Sequence, residues 1–381
     1  MTAPLQDTAP VPIRVGVVGV GNWARHGHMR VLDLLPQYEL TAVFSQRREA
    51  AVTAAEHYGF KYVVDSLSEL VEHPEVDLVI ILTTAPQHAD GVRAAIAAGK
   101  HVYCEWPLTP SVATSLELIA LAAQAKVRHV VGLQRRLAPH NRYVRDLIAQ
   151  DYVGQLRSVR IHVSMNYFQA LRSSALRWTV PPENFSSVIA IYAGHFLDML
   201  FEATGWPVSI AALTVNQFDQ VTIADSGEVL QTSTPDQLVL AGRLPGSAVV
   251  SVHIEGGKRN GSGVQIDITG TEGDLRITNR SAFGDVGDDY VVEGAHGNKL
   301  PLERLAMPAS YDALPESNLP SAVLELAHLY AAFADDVRTG SHTAPTFEDA
   351  VRMHRLLDAA VESSETGKHV KLGQALHKRS H

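Results

Sequence analysis

The chain has 381 residues, 46% hydrophobic and 19% charged, which is room for two globular domains and excludes a disordered chain. Lys plus Arg number 32 against 41 Asp plus Glu, a formal charge of −9. With no basic, aromatic-laced stripe to offset that, direct nucleic-acid binding is excluded. One cysteine, Cys104, excludes an intrachain disulfide and a cysteine-rich metal site, and fits a reducing compartment.

Residues 1–12, MTAPLQDTAPVP, carry neither a basic segment nor an apolar core, so a tail is expected there and not a signal peptide. No apolar run approaches the length of a membrane span, and a cytoplasmic protein is the expectation. IRVGVVGV (13–20) reads as a strand buried on both faces. ELTAVFS (39–45), VDLVIILTT (76–84), HVYCE (101–105) and RHVVGLQ (128–134) are further strands. Amphipathic, Ala-rich stretches at 48–58, 87–99 and 111–125 separate them. Such alternation predicts a parallel, doubly wound sheet, a Rossmann domain over 13–135.

Beyond 136 the rhythm changes. SVRIHVS (158–164), VVSVHI (249–254) and VQIDIT (264–269) alternate apolar with polar residues and read as antiparallel strands with one greasy and one polar face. Helices over 139–150 and 186–204 are expected on the greasy face, and the polar face is free for water or a second subunit. Residues 280–320 are turn-rich. Helices at 321–338 and 346–365 close a second α/β domain over 136–372 with an open, mainly antiparallel sheet; 373–381 is a tail.

The first strand runs into GVGNWA, which sets Gly19, Gly21 and Ala24 at the spacing of a dinucleotide loop, with Asn22 and Trp23 between them. Gly19 permits the tight turn, Gly21 lets a pyrophosphate approach the backbone, and Ala24 lets the helix pack close. The helix N-terminus then faces the phosphates. An acidic residue at the end of the second strand would bind the ribose hydroxyls of NAD(H). FSQRR puts Ser45 there, followed by Arg47 and Arg48, which predicts NADP(H) over NAD(H). No metal-ligand cluster, nucleophile elbow or Walker loop is present, and no metal is expected.

Four stretches carry a family resemblance: VGVVGVGNWA; DLVIILTTAPQHADGVRAAIAAGKHVYCEWPLT; QRRLAPHNRYVRDLIAQDYVGQLRSVRI; and AGHFLDML. Through them, roughly residues 13–372 resemble the Gfo/Idh/MocA family of glucose–fructose oxidoreductases, inositol dehydrogenases and rhizopine-catabolism proteins. The resemblance implies a Rossmann domain, a second α/β domain, and pairing of subunits through the second sheet. It is nearest to a subgroup like the fungal galactose-regulon co-repressor, which also has a Glu-Trp corner where family enzymes have Glu-Lys-Pro.

The resemblance assigns three acid–base positions near the nicotinamide. Trp106 stands in place of the family's lysine, Ile191 in place of its aspartate, and only His195 is kept. His195 is therefore the candidate acid or base, its ordinary pKa lying near neutrality, with Tyr192 as a helper. Thr83, Thr84 and His88 after the third long strand, and Glu105, Trp106 and Pro107 after the next, are expected beside the cofactor. Trp106, Tyr167, Arg177, Trp178 and Asp198 are expected to line a pocket for a carbohydrate-like substrate, and Arg135 and Arg136 to face the ligand or the domain seam. Three functions stay open: an NADP(H)-dependent oxidoreductase of a sugar, polyol or related carbonyl with a changed proton relay; a cofactor-binding sensor that docks on a protein partner; and a redox-neutral enzyme with tightly held cofactor.

Overall fold

The computed structural model describes residues 11–260, 263–282 and 290–373; the expected tails at 1–12 and 373–381 fall almost wholly outside them. Strands β1 (Ile13–Val18), β2 (Tyr38–Phe44), β3 (Tyr62–Val63), β4 (Leu78–Ile81), β5 (His101–Cys104) and β6 (His129–Val131) form one sheet in the order β3-β2-β1-β4-β5-β6. Every pairing in it is parallel. Val15, Val17, Leu78 and Val79 are fully buried, as strands covered on both faces require. The crossovers are α1 (Met29–Leu34), α2 (Arg48–Tyr58), α3 (Leu67–Glu72), α4 (Ala85–Ala97) and α5 (Val112–Ala125). Ser66 caps α3 by accepting the Glu69 N–H. The strand order reverses between β1 and β4, and that crevice is where an open parallel sheet takes its ligands.

A short 3₁₀ turn, Gln134–Leu137, leads into α6 (Pro139–Ala149) and the second domain. There follow β7 (Leu156–Ser164), β8 (Leu171–Arg172), a π-helix over Val188–Ala193 that runs into α7 (Gly194–Thr204), and β9 (Ser209–Val215). Next come β10 (Gln220–Ile223), β11 (Val229–Gln231), β12 (Gln237–Arg243), β13 (Val249–Glu255), β14 (Gly263–Gly270) and β15 (Gly273–Asn279). The chain closes through β16 (Val291–His296), β17 (Glu303–Arg304), α8 (Ser321–Thr339), α9 (Phe347–Thr366) and β18 (Val370–Lys371). Nine of these strands make one sheet, β17-β16-β15-β14-β7-β13-β12-β9-β18, and β11-β10-β8 make a small one.

The three alternating strands do not all pair antiparallel. β7 runs antiparallel to β14 but parallel to β13, with Val159 beside Val250 and Ile161 beside Val252. Alternation fixes which side chains face the core; it does not fix the direction of the neighbouring strand. Helices α6, α7 and α9 cover the greasy face, where Val144, Leu197, Leu200 and Met353 join Val159, Ile161, Val252 and Ile266 in one core. Helix α8 lies within the second domain's stretch of sequence yet packs on the first: Val323, Leu326, Tyr330 and Phe333 share a core with Val15, Met29, Ile80 and Tyr103. The other face of the nine-stranded sheet is open and carries exposed Leu213, Val239 and Val249. Among the described residues, no helix is long and apolar enough to cross a membrane.

Candidate functional site

The turn after β1 is built from its glycines. Gly19 takes a left-handed φ of 97° and donates its N–H to Phe44 O at 2.9 Å. A Cβ on it would lie 2.9 Å from Leu82 O, so only glycine fits. Gly21 faces open space, with nothing within 4 Å of where its Cβ would be, directly before the helical turn that begins at Asn22. Ala24 is buried, which brings that helix close to the sheet; Asn22 is exposed and Trp23 half-buried. At the end of β2, the Arg47 N–H donates to Ser45 Oγ at 3.3 Å, leaving the Arg47 side chain exposed. Arg48 instead pairs with Asp65 on the surface.

At the end of β4 the Thr83 hydroxyl is buried with no hydrogen-bond partner among the described residues, and Thr84 starts α4 without a side-chain cap. His88 is a brace. Its Nδ1 stands 2.9 Å from Pro107 O and its Nε2 3.0 Å from Thr83 O, which ties β4 to the Trp106–Pro107 corner, a cis peptide. Burial pulls the His88 pKa down against those carbonyls.

Glu105 heads a chain of buried polar groups. His28 Nε2 lies 2.7 Å from Glu105 Oε1, and the Tyr103 hydroxyl donates to the same oxygen at 2.7 Å. His28 Nδ1 is 2.8 Å from the Tyr330 hydroxyl of α8, whose backbone carbonyl accepts from Tyr38 at 2.7 Å. Gly132 leaves the space for the carboxylate: a Cβ there would come within 3.0 Å of Glu105 Oε2. Burial raises the Glu105 pKa, but His28 and the Tyr103 hydroxyl outweigh it and hold the carboxyl below its usual range.

Trp106, expected to face a substrate, lies with 4% of its surface exposed. Its indole N–H donates to Ala190 O at 2.8 Å, and its ring lies against Gly194. The π-helix and α7 start thus pack on the first domain through this indole. π-Helical turns recur at functional sites, and His195 is the second residue after this one. His195 is buried, with Nδ1 unpartnered among the described residues. Burial, with Arg135 nearby, lowers its pKa to about 3 against the pull of Glu105, so it is a neutral imidazole at pH 7. Tyr192 is buried edge-on to Phe168, 5.3 Å between ring centres, and burial raises its phenol well above the ordinary value.

The other expected pocket residues scatter. Asp198 is fully buried and takes the Arg136 guanidinium at 2.7 Å, within an ionic cluster that includes Glu202, Asp349 and Arg352. Burial lifts Asp198 to about 6 against the pull of Arg136. It joins α7 to the domain linker and α9, and does not open to a pocket. Arg177 pairs with Glu228 on the surface at 2.8 Å, and Trp178 is exposed. Tyr167 is part-exposed and lies in the electrostatic neighbourhood of Tyr192. Arg135 is buried over the Phe196 ring and bonded to Ala282 O and Glu325. The sequence reading missed His28, Tyr103, Tyr330 and Gly194. His28 carried only the sparse signal of a His-Gly-His run, and Tyr330 lies some two hundred residues from the corner it completes.

The open ground at Gly21, the unpartnered Thr83 hydroxyl and the Ser45–Arg47 turn fit a dinucleotide laid across the ends of β1, β2 and β4. Among the described residues, no group of His, Cys, Asp and Glu is placed to hold a metal. Residues 13–133 match the oxidoreductase family with an NAD-binding Rossmann fold, Gfo/Idh/MocA, and residues 139–279 match the C-terminal domain of Gal80p. A dehydrogenase, aclE, of Aspergillus oryzae is 26% identical, covering 93% of this chain and 97% of its own. The galactose/lactose metabolism regulatory protein GAL80 of Saccharomyces cerevisiae is 23% identical, covering 96% of each. Among solved structures, a Saccharomyces cerevisiae Gal80p super-repressor mutant superposes with a TM-score of 0.83 at 22% identity, over 97% of this chain and 100% of that one. Levoglucosan dehydrogenase with NADH and levoglucosan does so with 0.82 at 21%, over 96% and 100%. The first domain is thus similar to the NAD-binding domain of the Gfo/Idh/MocA oxidoreductases, and the second to the C-terminal domain of Gal80p.

Proposed function

We propose that the chain is an NADP(H)-dependent oxidoreductase of a sugar, polyol or related carbonyl, with His195 as its only retained member of the family's acid–base set. The observation that carries this is the meeting of His195, from α7, with Glu105 and Trp106, from the end of β5, at the ligand-binding edge of the first sheet. A bound nicotinamide would supply or accept the hydride. The protein's part is to bind, orient and hydrogen-bond. A neutral imidazole donates an N–H to a carbonyl oxygen and stabilises the negative charge that develops there, a role that needs no protonated histidine. A histidine with a pKa of about 3 holds no spare proton, so the alkoxide formed by hydride transfer takes its proton from solvent water, and oxidation returns it there by the reverse step. Ser45 at the end of β2 and the exposed Arg47 support the 2′-phosphate of NADP(H).

The test is a titration with NADPH and NADH, then a sugar and ketose panel followed through cofactor absorbance. The expected result is tighter NADPH binding and turnover of at least one carbonyl. His195→Ala should lower kcat by about 10²–10⁴-fold while NADPH still binds. Binding with no turnover across the panel would leave the second reading, a cofactor-binding sensor. What favours that reading is Trp106: the indole is buried and its N–H is already used, so the corner offers no lysine-like proton. A sensor of this kind should retain a protein partner whose binding changes with cofactor.

A further inference from the structure

We infer that the Glu105 carboxylate makes the dinucleotide site discriminate by redox state, binding the oxidised, cationic nicotinamide more tightly than the reduced, neutral one. The inference rests on the dinucleotide reading above. A pyrophosphate at the Gly19–Gly21 turn, with its adenosine toward β2, leaves the nicotinamide half over the ends of β4, β5 and β6. Glu105 closes β5 at that edge, and Gly132, just past β6, leaves the room its Oε2 occupies.

The charge is fixed by construction. Oε1 takes both the Tyr103 hydroxyl and His28 Nε2, so the carboxylate cannot swing away. His28 is held in turn by Tyr330, and the Tyr103 and Tyr330 rings stack 5.0 Å apart. Oε2 has no hydrogen-bond partner among the described residues, and the side chain keeps 14% of its surface exposed. Among the described residues the basic side chain paired with it is His28, at Oε1, and no Lys or Arg pairs with it. The position next to Glu105 holds a neutral indole, and His195 is a neutral imidazole. Arg135, the cation in the electrostatic surroundings of His195, is bonded to Glu325 and Ala282 O. The edge where a nicotinamide ring would lie therefore has a fixed anion and a low-dielectric wall. A positive ring is favoured there, and a neutral one gains nothing from the charge.

The test is binding of NADP⁺ and NADPH to the full chain by titration calorimetry, in wild type and in two variants. Wild type should bind NADP⁺ about tenfold or more tightly than NADPH, the order expected of one unit charge close by in a partly buried site. Glu105→Gln keeps the shape, removes the charge and should bring the two constants within about twofold of each other. Glu105→Asp keeps the charge and should retain most of the preference, which separates charge from misfolding. Equal wild-type constants, or an unchanged ratio in Glu105→Gln with a native circular-dichroism spectrum, overturns the inference and leaves the dinucleotide reading standing. If neither form binds, the dinucleotide reading falls and takes the inference with it.

Discussion

The indole of Trp106 and the bare Cα of Gly194 are a matched pair. A Cβ on Gly194 would lie 2.6 Å from Trp106 Cε2, so the glycine is required by close approach and not by backbone conformation. Gly194→Ala should push the ring aside and lengthen its bond to Ala190 O, a cost of about 1–3 kcal/mol. Urea unfolding followed by tryptophan fluorescence measures it, and a midpoint equal to wild type would show that the ring does not hold this seam. The same pair explains what the sequence could and could not disclose at residue scale. Glycine spacing was enough to find Gly19 and Gly21, because a tight turn is a local property. The role of Trp106 was not legible, because it depends on a partner eighty-eight residues downstream. Family position singles out His195 as the candidate acid or base, while its neutrality follows from burial, which one sequence does not contain.

At the scale of elements, the long periodic segments were readable and the short ones were not. Helix α2 spans the predicted 48–58 because its Ala-rich face carries the signal along its whole length. Strand β3, of two residues, and α3, of six, are too short to show a period. Strands β9 and β12 lacked the alternation seen in β7, since β9 reads Ser-Ile-Ala-Ala-Leu-Thr-Val and β12 carries Ala241 and Gly242. These two strands and β13 carry the exposed Leu213, Val239 and Val249; Val239 and Leu213 are cross-strand neighbours on one open face. We propose that a second copy of the chain covers this face, since an apolar patch on an open sheet marks an interaction surface. Light scattering should then give at least twice the 41.3 kDa chain mass. Leu213→Lys with Val239→Lys should lower it toward the monomer, whereas a wild-type monomer at high concentration would exclude this pairing.

Burial pulls down several histidines among the described residues, furthest His195 and His140, to about 3, and His328, to about 4. Each is protonated more readily when unfolded, so its contribution to stability is present above the unfolded pKa near 6.5 and is lost as pH falls toward its folded pKa. Asp198 acts the other way: its folded pKa is raised to about 6, so its contribution is full below the unfolded value near 3.8 and is lost as pH rises through about 6. Between pH 6 and 4 the histidines outnumber it. Net stability should fall on acidification by about 1.4 kcal/mol per pH unit for each proton taken up on unfolding. Urea unfolding at stepped pH measures this, and a flat profile from pH 6.5 to 4.5 would contradict the buried, neutral state of these groups. Helix α8 has a consequence on a different clock. The first domain's core includes Tyr330, and His28 and Tyr38 both bond to it, so that core is incomplete until the ribosome has made residues beyond 330. The nascent first domain must wait, with the surface for α8 bare, while the whole nine-stranded sheet except its last edge strand is being synthesised. A stall anywhere in that interval leaves an apolar face open to chaperones, and the docking of α8 is what closes it.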